Sequence, residues 1–99
     1  MNIEYWRTEI DEIDRELLRL LNRRARLAMK VGTLKRAAGL PFSDPERERL
    51  VLRRLQQANT GPLDQRAINK LFRRIIGESR RVEADLLDPI IVQSTRVVM

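Results

Sequence analysis

The chain contains no cysteine and no histidine. Without cysteine there is no disulfide framework, no thiol nucleophile and no thiolate metal site. Without histidine the commonest general base and the commonest metal ligand are both missing. Aromatic residues are scarce, with one tryptophan, one tyrosine and two phenylalanines. No serine–base pair points to nucleophilic catalysis, no residues have metal-ligand spacing, and no glycine-rich phosphate loop is present. No apolar run approaches the roughly 18 residues that span a bilayer. The opening "MNIEYWRTEIDEID" is acidic and amphipathic and lacks the apolar stretch of a signal peptide. The expectation is a cytoplasmic protein with no membrane partner and no metal.

What is present is charge and helical periodicity. The 99 residues bound the chain to one domain. An apolar share of 42% allows a core, but a single-chain core of this size is marginal. The net charge is +6. That excess serves solubility, or it serves an anionic partner: nucleic acid, an acidic protein or a small polyanion.

The periodicity predicts an all-α chain of three helices. The first runs from about Ile3 to Ala38 and is ended by Gly39 and Pro41. Counted in heptads, Ile3, Trp6, Ile10, Ile13, Leu17, Leu20, Leu27, Val31 and Leu34 fall on one alternating three–four seam, with Arg24 in the slot between Leu20 and Leu27. Gly32 costs roughly 1 kcal/mol against alanine inside this helix, so it marks close packing or a weak point. The second helix starts at "FSDPERE" and ends near Ala58. Asp44 or Ser43 caps it and Pro45 suits its first turn. Its stripe is Leu50, Val51 and Leu55. The third opens near Asp64 and ends before Asp88-Pro89, with Ile68, Leu71, Phe72, Ile75, Ile76, Val82 and Leu86 as its stripe. Residues 1–88 form the domain, and the tail 89–99 is given no structure.

Length argues for assembly. A helix of about 35 residues is about 50 Å long, while a compact chain of this size has a radius of gyration near 13 Å. Two shorter helices of the same chain cannot cover a seam that stays apolar to both ends. The simplest solution is a dimer in which the long helices pack together.

Several polar residues break the apolar pattern. Arg24 in the seam is either a structural ion pair, with Glu83 as a candidate partner, or a ligand contact. Lys35 follows it by three turns on nearly the same face. Asp44, Arg47 and Glu48 fall at i, i+3 and i+4. They make either ordinary capping with an exposed ion pair or one side of a site. Ser79 sits in the third seam, where it can bond back to its own helix, and Glu83 follows at i+4. Arg7 lies about 25 Å along the helix from Arg24. One small ligand reaches both only if Arg7 comes from a second, antiparallel chain. A set of cations and hydrogen-bonding groups facing a helical core suits binding a polyanion, or catalysis by positioning and electrostatics alone. The arginine runs "NRRAR", "LRR", "FRR" and "SRR" are read as outer helix faces. They form no aromatic-interleaved patch and match no helix-turn-helix spacing, so no nucleic-acid partner is expected.

From about Trp6 to Glu83 the chain resembles the all-helical class of chorismate mutases. The resemblance is carried by R-x2-I-D-x-I-D-x2-L-L-x-L-L-x2-R in the first helix, then by "VGTLK", "PFSDPERE" and "LFRRIIGES". It implies an intertwined homodimeric helical bundle with sites shared between subunits. It also implies the cofactor-free Claisen rearrangement of chorismate to prephenate, in phenylalanine and tyrosine biosynthesis. The residues matching the family's ligand-binding positions are Arg7, Arg24, Lys35 and Asp44, then Arg47, Glu48, Ser79 and Glu83. The resemblance implies that Arg24, and Arg7 of the other subunit, bind the substrate carboxylates. Lys35 bonds a carboxylate and the ether oxygen, and Glu83 is the second partner of that oxygen. Asp44, through its backbone N–H, and Glu48 hold the ring hydroxyl. Arg47 and Ser79 support the ring carboxylate and the pocket. Many relatives carry glutamine where this chain has Glu83. An ionised carboxylate cannot donate a hydrogen bond, so the expectation is activity that rises toward acidic pH. Two other readings remain: an isochorismate-pyruvate lyase of the same fold, and a non-catalytic ligand sensor or a domain activated by a partner shikimate-pathway enzyme.

Overall fold

The computed structural model describes residues 2–87; of Leu86 and Leu87 it describes the backbone only. The described residues form three helices: α1 (Ile3–Ala37), α2 (Pro45–Ala58) and α3 (Gln65–Leu87). The stripe position Leu86 and the tail 89–99 lie outside what is described of the side chains and the chain, respectively.

Each helix starts and stops for a local reason. At the N-terminus of α1, Asn2 Oδ1 accepts from the backbone N–H of Glu4 at 3.0 Å and of Tyr5 at 3.3 Å, satisfying donors that have no partner within the helix. At its other end Gly39 adopts φ +70°. There its N–H donates to the Arg36 carbonyl at 3.1 Å and that of Leu40 donates to the Lys35 carbonyl at 2.8 Å. This paired closure is the Schellman arrangement, and it needs a residue that tolerates the left-handed region. Asp44, not Ser43, caps α2, its Oδ1 accepting from the N–H of Arg47 at 3.1 Å, with Pro45 in the first turn. Asp64 does the same for α3, accepting from the N–H of Ala67 at 2.8 Å.

The arrangement is elongated. The radius of gyration is 17.3 Å and the principal extents are 55 × 36 × 16 Å. α3 packs against both α1 and α2, so it is the element that holds the chain together. Among the described residues no helix is long and apolar enough to cross a membrane.

Burial departs from a simple reading of the seam. Among the described residues no hydrophobic side chain is buried. Those that are buried are Gly32, Ser79 and Glu83. The apolar seam of α1, from Ile3 to Leu34, is between 42% and 69% exposed. What α3 covers on α1 is a different strip: Arg24, Ala25, Ala28, Met29, Gly32 and Lys35. Small side chains on that strip let the helix axes approach, while the long aliphatic residues face outward. Monomeric proteins rarely leave so continuous an apolar surface open to water.

The cap of α3 is remote from the polar centre, so its contribution is separable. Asp64→Ala is expected to lower unfolding stability by about 1 kcal/mol, read as a shift in the urea midpoint with unchanged slope.

Candidate functional site

A cleft of about 110 Å³ opens where the three helices meet. α1 brings Arg24 and Lys35 to it, with Ala28 between them leaving room. The first turn of α2 brings Asp44, Arg47 and Glu48. α3 brings Ile76, Ser79, Arg80 and Glu83, which are spaced i, i+3, i+4 and i+7 and so share one face. The helical spacing that drew attention in the sequence therefore reflects real convergence across α1, α2 and α3.

The polar contacts fix the walls. Arg24 Nη1 donates to Ser79 Oγ at 3.0 Å, and Ser79 Oγ donates to the Ile75 carbonyl at 3.0 Å. The serine hydroxyl thus bonds back to its own helix and holds the arginine at once. Arg24 is half-buried here and its partner is Ser79, so of the two readings of Arg24 the structural ion pair with Glu83 is not the one formed. Lys35 Nζ donates to the Phe42 carbonyl at 3.3 Å, which ties the end of α1 to the loop leading into α2. Glu48 Oε2 accepts from Arg80 Nη2 at 3.2 Å. That contact corrects one expectation: Arg80 of "SRR" is not on an outer face.

The remaining arginines of the basic runs, Arg24 apart, are exposed, and two of them share one acidic partner. Arg81 donates to Glu78 at 2.8 Å and Arg74 pairs with Glu78 at 3.1 Å. Arg19 pairs with Glu16, and Arg49 with Glu46. The hydrogen bond from Arg81, with its charge, holds the Glu78 carboxyl below the usual carboxylate range.

Glu83 is 5% exposed and lines the cleft. Its backing is Gly32 of α1. A Cβ placed on Gly32 would lie 3.1 Å from both Cγ and Cδ of Glu83. The mid-helix glycine is therefore a close-packing position: it leaves the volume that the glutamate side chain occupies.

Of the residues singled out in the sequence, Arg7 alone is not brought to the cleft. It sits near the start of α1, pairs with Glu4 at 2.7 Å and is 67% exposed at the side chain. Without it, Arg24, Lys35, Arg47 and Arg80 face Asp44, Glu48 and Glu83, one formal positive charge in excess. Among the described residues no cluster of carboxylates, histidines or cysteines is arranged to hold a metal ion. The residue missed by sequence reasoning is Arg80. Its signal was positional, three residues before Glu83 and four after Ile76.

A family model described as chorismate mutase type II matches residues 6–84. Among curated proteins, the chain is 48% identical over 80 residues to a bifunctional chorismate mutase/prephenate dehydratase of Neisseria gonorrhoeae, covering 81% of this chain and 22% of that protein. The chain thus spans about a fifth of the length of such bifunctional relatives. Among solved structures, a chorismate mutase of Thermus thermophilus superimposes with a TM-score of 0.81 at 41% identity, covering 83% of this chain and 93% of that one. The chorismate mutase of Helicobacter pylori in complex with prephenate does so with a TM-score of 0.80 at 30% identity, covering 86% and 92%.

The Gly32–Glu83 contact makes a prediction that needs no ligand. Alanine in a helix interior gains about 1 kcal/mol over glycine. In the Glu83→Ala background Gly32→Ala should show that gain in urea unfolding. In the wild-type background the clash with Glu83 should cancel or reverse it. Equal gains in both backgrounds would mean that the two residues do not compete for space.

Proposed function

The chain belongs to the chorismate mutase type II family, and we propose that it converts chorismate to prephenate as a homodimer. Each of the two sites is completed by Arg7 of the second copy. The observation that carries this reading is the convergence of Arg24, Lys35, Asp44, Arg47, Glu48, Ser79 and Glu83 on one cleft. Arg7 meanwhile lies on the open part of α1. The exposed apolar seam supports the dimer, because a second α1 would cover it. A cytoplasmic location accompanies this reading.

The reaction breaks the ether C–O bond and forms a C–C bond within one molecule, so no proton or electron has to be supplied. Positioning and electrostatics are sufficient tools. Arg24, held by Ser79, and Arg7 of the second copy grip the two carboxylates. Arg7 adds to the cationic excess of a site that takes a dianion. Lys35 donates to a carboxylate and to the ether oxygen, on which negative charge grows as the bond breaks. Such a contact is stronger in the transition state than in the ground state, and only contacts of that kind accelerate chemistry. Glu83 is the second donor to the same oxygen, and it donates only as the protonated acid. Glu48 accepts from the ring hydroxyl, the Asp44 backbone N–H donates to it, and Arg47 supports the ring carboxylate.

The test is loss of chorismate with the product identified. Prephenate should form. Glu83→Gln keeps a donor at that position and should retain turnover. Lys35→Ala should lose at least about 100-fold in kcat. Pyruvate in place of prephenate would contradict the mutase reading and favour lyase chemistry. Chorismate bound without turnover would favour a sensor, or a domain activated by a partner enzyme.

A further inference from the structure

We propose that Arg80 is a positioning residue that holds the Glu48 carboxylate for the hydroxyl of the substrate; the proposal rests on the mutase reading above. The ion pairs of the outer faces join residues three or four apart within one helix. The Arg80–Glu48 pair instead crosses from α3 to α2, with Nη2 and Oε2 3.2 Å apart. Both side chains are partly covered, at 38% and 25% exposed, and both line the cleft.

Glu48 needs such a partner. It lies one turn after Asp44 on the same face of α2, where like charges repel. A dianion entering the cleft adds to that repulsion. A glutamate side chain also has three torsions to immobilise before it can meet a hydroxyl in one geometry, at an entropic cost. Arg80 engages Oε2 and leaves Oε1 to accept from the ligand. It also sets the pair of carboxylates against a fixed positive charge.

The position of Arg80 in the chain adds to the case. Ser79 holds Arg24 of α1, and the next residue, Arg80, holds Glu48 of α2. Two consecutive residues of α3 therefore orient one binding group on each flanking helix. The contact is a single N–H to a single oxygen rather than a two-pronged clamp, so a lysine can replace it.

The experiment is a double-mutant cycle on kcat/KM for chorismate, with Arg80→Met, Glu48→Gln and the pair. Arg80→Met should lower kcat/KM about fivefold in the wild-type background and less than about twofold once Glu48 is gone. Arg80→Lys should stay within about twofold of the wild type. A residue that only supports the fold, or that touches the substrate itself, loses the same factor in both backgrounds, and that additive result would overturn the proposal. Arg80→Lys keeps the test valid if Arg80→Met unfolds, because failure of lysine to preserve activity in a folded protein also overturns it. If the wild type binds chorismate without turnover, the mutase reading fails but the cycle is read on chorismate affinity by titration calorimetry. Coupling there supports the positioning role and additivity overturns it. A wild type that neither turns over nor binds chorismate overturns both.

Discussion

A helix of 35 residues with an apolar face along most of its length cannot be covered by partners of 14 and 23 residues. That mismatch governs the rest of the structure. α3 reaches the C-terminal part of α1 and no further, so residues 2–23 are exposed throughout. Burial of apolar area, the usual source of stability, is consequently thin within one chain. Among the described residues the side chains that do become buried are polar, Ser79 and Glu83, and they face a cleft rather than a core. On the proposed dimeric reading the missing apolar burial comes from the second copy. The same association that stabilises the fold then also completes the site.

Within the chain, α3 does the organising. It is the element in contact with both others, and its Ser79–Arg80 pair reaches to Arg24 on one side and Glu48 on the other. Gly32 lets the same helix come close enough to seat Glu83 against the backbone of α1. A half-buried arginine without a carboxylate partner is costly in an empty protein. A serine hydroxyl lowers that cost without neutralising the charge, so the positive potential of the cleft is kept for an anion. An ion pair at Arg24 would have stabilised the empty site and weakened its attraction for a dianion.

The helices were legible because their signals are local. Asp44 and Asp64 cap where short polar side chains satisfy free N–H groups, and Gly39 ends α1 where a positive φ is required. The convergence of seven candidate residues was legible through helical spacing together with the family resemblance. The covered face of α1 was not. Heptad counting identifies which residues are apolar, not what they meet, and here the covered strip is made of Ala25, Ala28, Met29 and Gly32 beside the seam. The partner of Arg24 and the inward turn of Arg80 were also hidden. Both depend on the relative rotation of two helices that are far apart in the chain, and one residue of rotation, about 100°, moves an arginine from a solvated face into a cleft.

The sharing of one site between two chains is tested most directly by mixing two inactive variants. Arg7→Ala and Lys35→Ala are refolded together in equal amounts and assayed for conversion of chorismate. In a mixed dimer one site pairs an intact Lys35 with an intact Arg7 of the other chain, while the second site lacks both. Random pairing should then restore about a quarter of the wild-type activity per chain, from two proteins that are each inactive alone. A mixture as inactive as its components would contradict the shared site, because a cleft that draws Arg7 from its own chain gains nothing from a second copy.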